Sequence, residues 1–154
     1  MHLPNKTACP GATGLEAQLF VAILKSADSL SSQAEQLFKA NGLTGAQYNV
    51  LRILRGAAPD GLPCNAVSER LISRDPDMTR MLDRMEKRSL ITRERQKDDR
   101  RVVKTRIAEE GLKILKKLDS PVRELHKNQF AHMSSTRIKA LIELLSEVAA
   151  RETE

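Results

Sequence analysis

Arg80, Arg84 and Arg88 recur one helical turn apart, with Asp77 three residues before the first of them. On a helix this spacing places all four side chains on one face. Like charges at i,i+4 repel by about 0.2–0.5 kcal/mol per pair, so an isolated helix gains nothing from the arrangement. A helix lying among phosphates does gain. The planar guanidinium of Arg80 or Arg84 also matches paired acceptors on guanine in a major groove. The plain alternative is a solvated charged face. Thr79 and Asp77, near the start of the same helix, are placed to touch a base edge or a phosphate. A carboxylate there is costly unless it accepts from cytosine or holds an arginine.

A second cluster, Lys97-Asp98-Asp99-Arg100-Arg101, is as densely charged. Arg101 is the candidate to enter a minor groove, where narrow A·T tracts attract a guanidinium. Asp99, two residues earlier on the same strand face, can hold it in place. Arg100, Lys97 and Arg95 then serve phosphates, giving affinity and salt dependence rather than specificity. Asp98 reads equally well as a turn residue. Ser68 and Arg74 are further candidates for phosphate contact.

Other chemistry is thin. Cys64 opens an expected helix, whose dipole can lower a thiol pKa. That keeps a cysteine-based redox-sensing regulator as an alternative, against the simpler reading of a small buried filler. Cys9 is incidental. His126 and His132, six residues apart, lack the i,i+4 spacing of a metal pair and read as surface or interface residues; no cofactor or metal is expected. The sequence holds no G-x-G-x-x-G, phosphate-binding loop or H-E-x-x-H, and no Ser-His-Asp set with a sharp nucleophile turn. The chain is therefore read as no enzyme.

With 154 residues there is room for one main core, and 40% hydrophobic with 30% charged residues suits a soluble globular chain. No Trp, one Tyr and three Phe leave that core to aliphatic side chains. No apolar run is long enough to span a membrane, and Met1 to Gly14 has no secretory pattern, so a cytoplasmic protein is expected. The net charge of +6 is unevenly placed. Between Ser68 and Arg106 stand 13 Lys and Arg against 8 Asp and Glu, an excess of five, whereas the remainder has an excess of one. Such concentration marks a polyanion-binding surface.

The elements that must position these residues follow from periodicity. Leu15 to about Ala40 carries apolar residues at near-helical spacing with no Gly or Pro, and stops at Asn41-Gly42. Thr44 caps a second helix with Tyr48, Leu51, Ile53 and Leu54 inward, closing at Gly56 before a loop through Pro63. A short helix is expected over Cys64 to Ile72, and another from Pro76 to Arg88 with Asp75 as its cap. In the latter, Met78, Leu82 and Met85 point inward, and the Met78, Met81, Met85 cluster is core. Two short helices joined by a turn make a helix-turn-helix. Leu90–Gln96 and Val102–Ile107 are rich in β-branched residues and flank the charged turn, which reads as a hairpin. A helix-turn-helix followed by a hairpin is a winged helix. After Gly111 come a stripe of Leu112, Leu115, Leu118, Val122 and Leu125, with Pro121 a candidate kink, and a last helix capped by Ser134 or Ser135. Its inward set is Ile138, Leu141, Ile142, Leu145 and Val148.

From Asp77 to Ile91 and on to Asp99-Arg100-Arg101, the chain resembles the recognition helix and wing of the MarR (multiple antibiotic resistance regulator) family. The Asp-Arg-Arg tip, a short β run and Glu109-Glu110-Gly111 carry the resemblance most strongly, and it extends over roughly Leu15 to Ala150. Two departures stand out: Ser89 where the family usually has Gly, and Ala108 where a Thr usually caps the next helix. The resemblance implies a mainly α, winged helix-turn-helix homodimer. Its expected parts are an arm over 1–14, dimerisation helices over 15–42 and 112–152, and a DNA-binding lobe over 43–111. It also implies a repressor on a pseudo-palindromic site in double-stranded DNA, released by a small phenolic or other aromatic effector or by an oxidant. The competing class is a winged-helix protein-interaction module with an acidic protein partner.

Overall fold

The computed structural model describes residues 14–72, 76–96 and 102–150, so the expected arm lies outside the described residues apart from Gly14. Among the described residues the order is α1 (Leu15–Lys39), α2 (Gly45–Gly56), β1 (Leu62–Pro63), α3 (Cys64–Glu69), α4 (Met78–Lys87), β2 (Ile91–Arg95), β3 (Val103–Ile107), α5 (Glu109–Gln129) and α6 (Ser135–Ala150). The chain divides between Leu118 and Asp119 into two compact units, with α5 running through the division.

In the first unit, α2 starts on a complete capping box. Thr44 Oγ1 accepts from the Gln47 amide at 3.2 Å, and Gln47 Oε1 accepts from the Thr44 amide at 3.1 Å. Glu35 of α1 reaches the same helix end and accepts from the Gly45 amide at 2.8 Å. The rings of Phe38 and Tyr48 stack with centroids 4.1 Å apart, so α1 and α2 share an apolar as well as a polar joint. Val50, Leu51 and Leu54 are fully buried. Ile53, expected with them, is only half-buried, because it lies about 100° round the helix from Leu54 at the edge of the stripe.

The last two residues of the loop expected through Pro63 form a short strand. β1 pairs antiparallel with β3, placing Leu62 opposite Thr105, and the sheet order is β1-β3-β2. Gly61 makes this possible. Its φ is +72°, and a Cβ there would stand 2.5 Å from the Thr105 carbonyl oxygen. The hairpin forms as expected, in a register running from Ile91 opposite Ile107 to Arg95 opposite Val103.

Both short helices are trimmed relative to expectation. α3 stops at Glu69 instead of Ile72, leaving Leu71 half-buried and Ile72 exposed. α4 starts at Met78: the Asp77 carbonyl accepts the first helical bond, from the Met81 amide at 3.0 Å, and Pro76 stays in the preceding turn. Asp75, expected as the cap, lies outside the described residues. The four side chains Met78, Met81, Leu82 and Met85 are buried, as expected of a core. With Val67, Leu90, Ile91, Leu115 and Leu118 they form an aliphatic core, each fully buried side chain contributing about 1.5–3 kcal/mol.

α5 begins two residues before Gly111, with the Ala108 carbonyl accepting from the Leu112 amide at 3.0 Å. Alanine at this position has no side chain with which to cap. Gly111 is buried where a Cβ would meet the Leu90 carbonyl oxygen, with the Ile107 Cγ1 methylene and a Leu51 methyl group at 3.0 Å. The Glu-Glu-Gly segment thus lets the first turn of α5 rest on the link between α4 and β2. Leu112, expected inward, is partly exposed, because the buried row runs Gly111, Leu115, Leu118, Val122. The helix continues through Pro121.

In the second unit, Ser134 precedes α6, its carbonyl accepting from Ile138 at 3.0 Å and its hydroxyl from Arg137 at 3.4 Å. The set expected inward on α6 is not buried within one chain: Ile138 is half-buried and Leu141, Ile142, Leu145 and Val148 are exposed, as is Leu144. On α1 of the first unit, Leu15, Leu19, Phe20 and Leu24 are likewise exposed. No helix among the described residues is long and apolar enough to cross a membrane.

Candidate nucleic-acid interface

α4 separates its chemistry by face. Met78, Met81, Leu82 and Met85 are sunk in the core, while Thr79, Arg80, Arg84 and Arg88 are exposed. Arg80 and Arg84 therefore project from a face whose reverse is locked by packing, which fixes the helix axis beneath them. Asp77 Oδ1 stands 3.5 Å from Arg80 Nε. An exposed pair of this kind contributes little stability but biases the rotamer of the arginine. Of the two readings of Asp77, the structure thus brings out the one in which it holds an arginine. Its side chain makes no helix cap.

The helix ends in a Schellman motif. The Leu90 amide donates to the Met85 carbonyl at 3.0 Å and the Ser89 amide to the Glu86 carbonyl at 2.8 Å, with Ser89 at φ 57°. A serine thus occupies the left-handed position usually taken by glycine. The motif turns the chain directly into β2, so helix and hairpin are joined by a tight link.

Ion pairs stiffen that link. The Arg93 guanidinium on β2 bonds Glu86 Oε2 through Nε at 2.9 Å and through Nη2 at 2.6 Å, and Asp83 Oδ1 through Nη2 at 2.5 Å. The hydrogen bond to Glu86 most of all, with Asp83 adding to it and partial burial opposing, raises the Arg93 pKa above its already high ordinary value. On the hairpin's other strand, Arg106 Nη1 bonds Glu94 Oε2 at 2.7 Å and its Nε donates to the Pro59 carbonyl at 3.1 Å. These contacts tie the base of the hairpin to the loop before β1.

The residues expected to bind DNA are distributed as follows. Asp77, Thr79, Arg80 and Arg84 gather on α4, Ser68 is half-buried on α3, and Arg95 is exposed at the far end of β2. Arg74, Lys97, Asp99, Arg100 and Arg101 lie outside the described residues. Cys64 is half-buried at the start of α3, and His126 and His132 are exposed, with His126 Nδ1 3.0 Å from Gln129 Oε1. Among the described residues no cluster of His, Cys, Asp or Glu is suited to a metal. Sequence reasoning missed the Arg93–Asp83–Glu86 cluster. Its signal was an acid pair at i,i+3 on α4, followed by an arginine just beyond the turn.

The fold matches known proteins. A MarR transcription factor from Planctomyces limnophilus superposes with a TM-score of 0.69 at 34% identity, over 87% of this chain and 97% of that one. The chain belongs to the MarR family. The MarR family model matches residues 43–103, from the start of α2 to the second strand of the hairpin. A homoprotocatechuate degradative operon repressor of Escherichia coli is 24% identical over 132 residues, 86% of this chain and 88% of that protein. A mutant MarR of Escherichia coli, solved in complex with operator DNA, has the same fold with a TM-score of 0.78 at 22% identity, covering 88% of this chain and 99% of that one. This MarR-family protein is accordingly a DNA-binding transcriptional regulator built on a winged helix-turn-helix.

Proposed function

We propose that this MarR-family protein acts in the cytoplasm as a homodimeric repressor that reads an inverted repeat in double-stranded DNA, with no catalytic step of its own. The observation that carries the reading is the exposure of Arg80 and Arg84 on α4 directly opposite a buried Met and Leu row. A recognition helix needs that combination of a rigid back and a charged front. Arg80 and Arg84 contact guanine edges, with Thr79 and Asp77 beside them. Arg101, braced by Asp99, enters the flanking minor groove. Ser68, Arg74, Arg95, Lys97 and Arg100 serve phosphates. The lobe over 43–111 carries these contacts, and the exposed apolar rows of α1 and α6 join two copies over 15–42 and 112–152. A small phenolic or other aromatic molecule is the proposed effector. The Escherichia coli relative supports that choice, since it is named for the degradation of homoprotocatechuate, itself a phenolic acid.

The test is selection of bound sequences from duplexes with a random core, followed by titration of the selected duplex and a scrambled copy at several salt concentrations. The expected result is an inverted repeat with half-sites about 34–36 Å apart, one turn of duplex. Affinity should fall steeply and linearly with the logarithm of salt. Enrichment of no sequence would sink the proposal and favour the protein-docking alternative.

A further inference from the structure

Arg93 has no place in the sequence-derived interface, yet among the described residues it makes the densest set of polar contacts between α4 and the hairpin. β2 is an edge strand, and the Arg93 amide points to its open side, where it donates to Glu86 Oε1 at 3.2 Å. Glu86 therefore receives both the backbone and the side chain of one residue. Asp83, one turn earlier, accepts from Nη2, the same guanidinium nitrogen that also bonds Glu86. The Arg93 side chain is 22% exposed, against 45% for Asp83 and 38% for Glu86, so the arginine is the enclosed member of the cluster.

Isolated exposed ion pairs contribute little, but a planar fork shared between two carboxylates fixes direction as well as distance. Direction matters here because α4 and the hairpin must engage neighbouring grooves together. The cluster also settles a competition. Asp83 is three residues from Arg80 and four from Lys87, close enough on a helix to pair with either. Held by Arg93, it leaves Arg80 to Asp77.

We propose, building on the DNA-binding reading above, that Arg93 is a positioning residue for sequence recognition. By clasping Asp83 and Glu86 it fixes the recognition helix against the first strand of the wing, so both meet the duplex at one angle. It touches no base itself.

Two variants test this. Arg93→Lys keeps the charge but offers a point donor in place of the fork. Glu86→Gln opens the clasp from the other side and leaves the arginine in place. Each is checked for native secondary structure and dimerisation, then titrated on the selected duplex and its scrambled copy. The preference for the selected duplex should fall about tenfold in both variants, comparable to the loss of one good base contact. Affinity for the scrambled duplex should drop by no more than about threefold, and the salt slope of Arg93→Lys should stay unchanged, because no phosphate contact is lost. Intact preference in either folded variant, or equal losses on the two duplexes, overturns the proposal while the wild-type preference stands. A wild-type chain that prefers no sequence overturns the DNA-binding reading itself. If Arg93→Lys fails to fold, Glu86→Gln decides alone.

Discussion

Replacing Ser89 with glycine should make this protein more stable. Ser89 is exposed and sits at φ 57°, between the last turn of α4 and β2. Its amide already completes the Schellman motif with the Glu86 carbonyl at 2.8 Å, so the backbone is held in this conformation. An L-residue in the left-handed region carries a cost of roughly 1–2 kcal/mol, which glycine does not. Against this, glycine gives the unfolded chain more freedom, a penalty of roughly 0.4–1 kcal/mol. The difference favours Ser89→Gly by about 0.5–1 kcal/mol. In urea the midpoint should rise with no change in slope, measured at one protein concentration because dimerisation couples to stability. The corresponding rise in Tm is about 1–4 °C for a domain of this size. A lower midpoint would refute the argument, since it would mean that Ser89 contributes more than its backbone conformation costs.

Gly111→Ala should act in the opposite direction. The added methyl group would meet the Leu90 carbonyl oxygen, and despite the better helix propensity of alanine the variant should lose about 1–3 kcal/mol in urea denaturation. Thr105→Val should stabilise by about 1 kcal/mol in the same assay, because the Thr105 hydroxyl is fully buried and has no hydrogen-bond partner among the described residues. A loss of stability on that change would show that the hydroxyl is satisfied after all. The exposed apolar rows of α1 and α6 predict a stable dimer in sedimentation at micromolar concentration, and a folded monomer there would contradict that use of them.

Where periodicity was long or the end signals chemical, the sequence was legible. The α1 helix, the Thr44 cap and the Met and Leu row of α4 stand where spacing put them. The misses share a cause, which is that tertiary contacts decided them. β1 is two residues long and has no pattern of its own; it exists because the free edge of β3 accepts it. The start of α4 moved from Pro76 to Met78 although proline suits a first helical position, because the Asp77 carbonyl takes the first helical bond. The α6 row looked like core and is exposed in one chain, since periodicity marks an apolar face without saying whose surface covers it. On α4 itself, the exposed face bearing Arg80 and Arg84 was legible from spacing alone. Arg93 was not, because its partners lie across a turn whose geometry depends on the left-handed backbone of Ser89.

The central claim is that Arg80 and Arg84 read bases rather than merely attract a polyanion. The most direct measurement titrates Arg80→Ala and Arg84→Ala against the selected duplex and its scrambled copy at several salt concentrations. A lost guanine contact should cost roughly 1–3 kcal/mol on the selected duplex and much less on the scrambled one. Equal losses on both duplexes, with the salt slope flattened by about one unit per arginine, would show that these side chains serve only phosphates and would contradict the account.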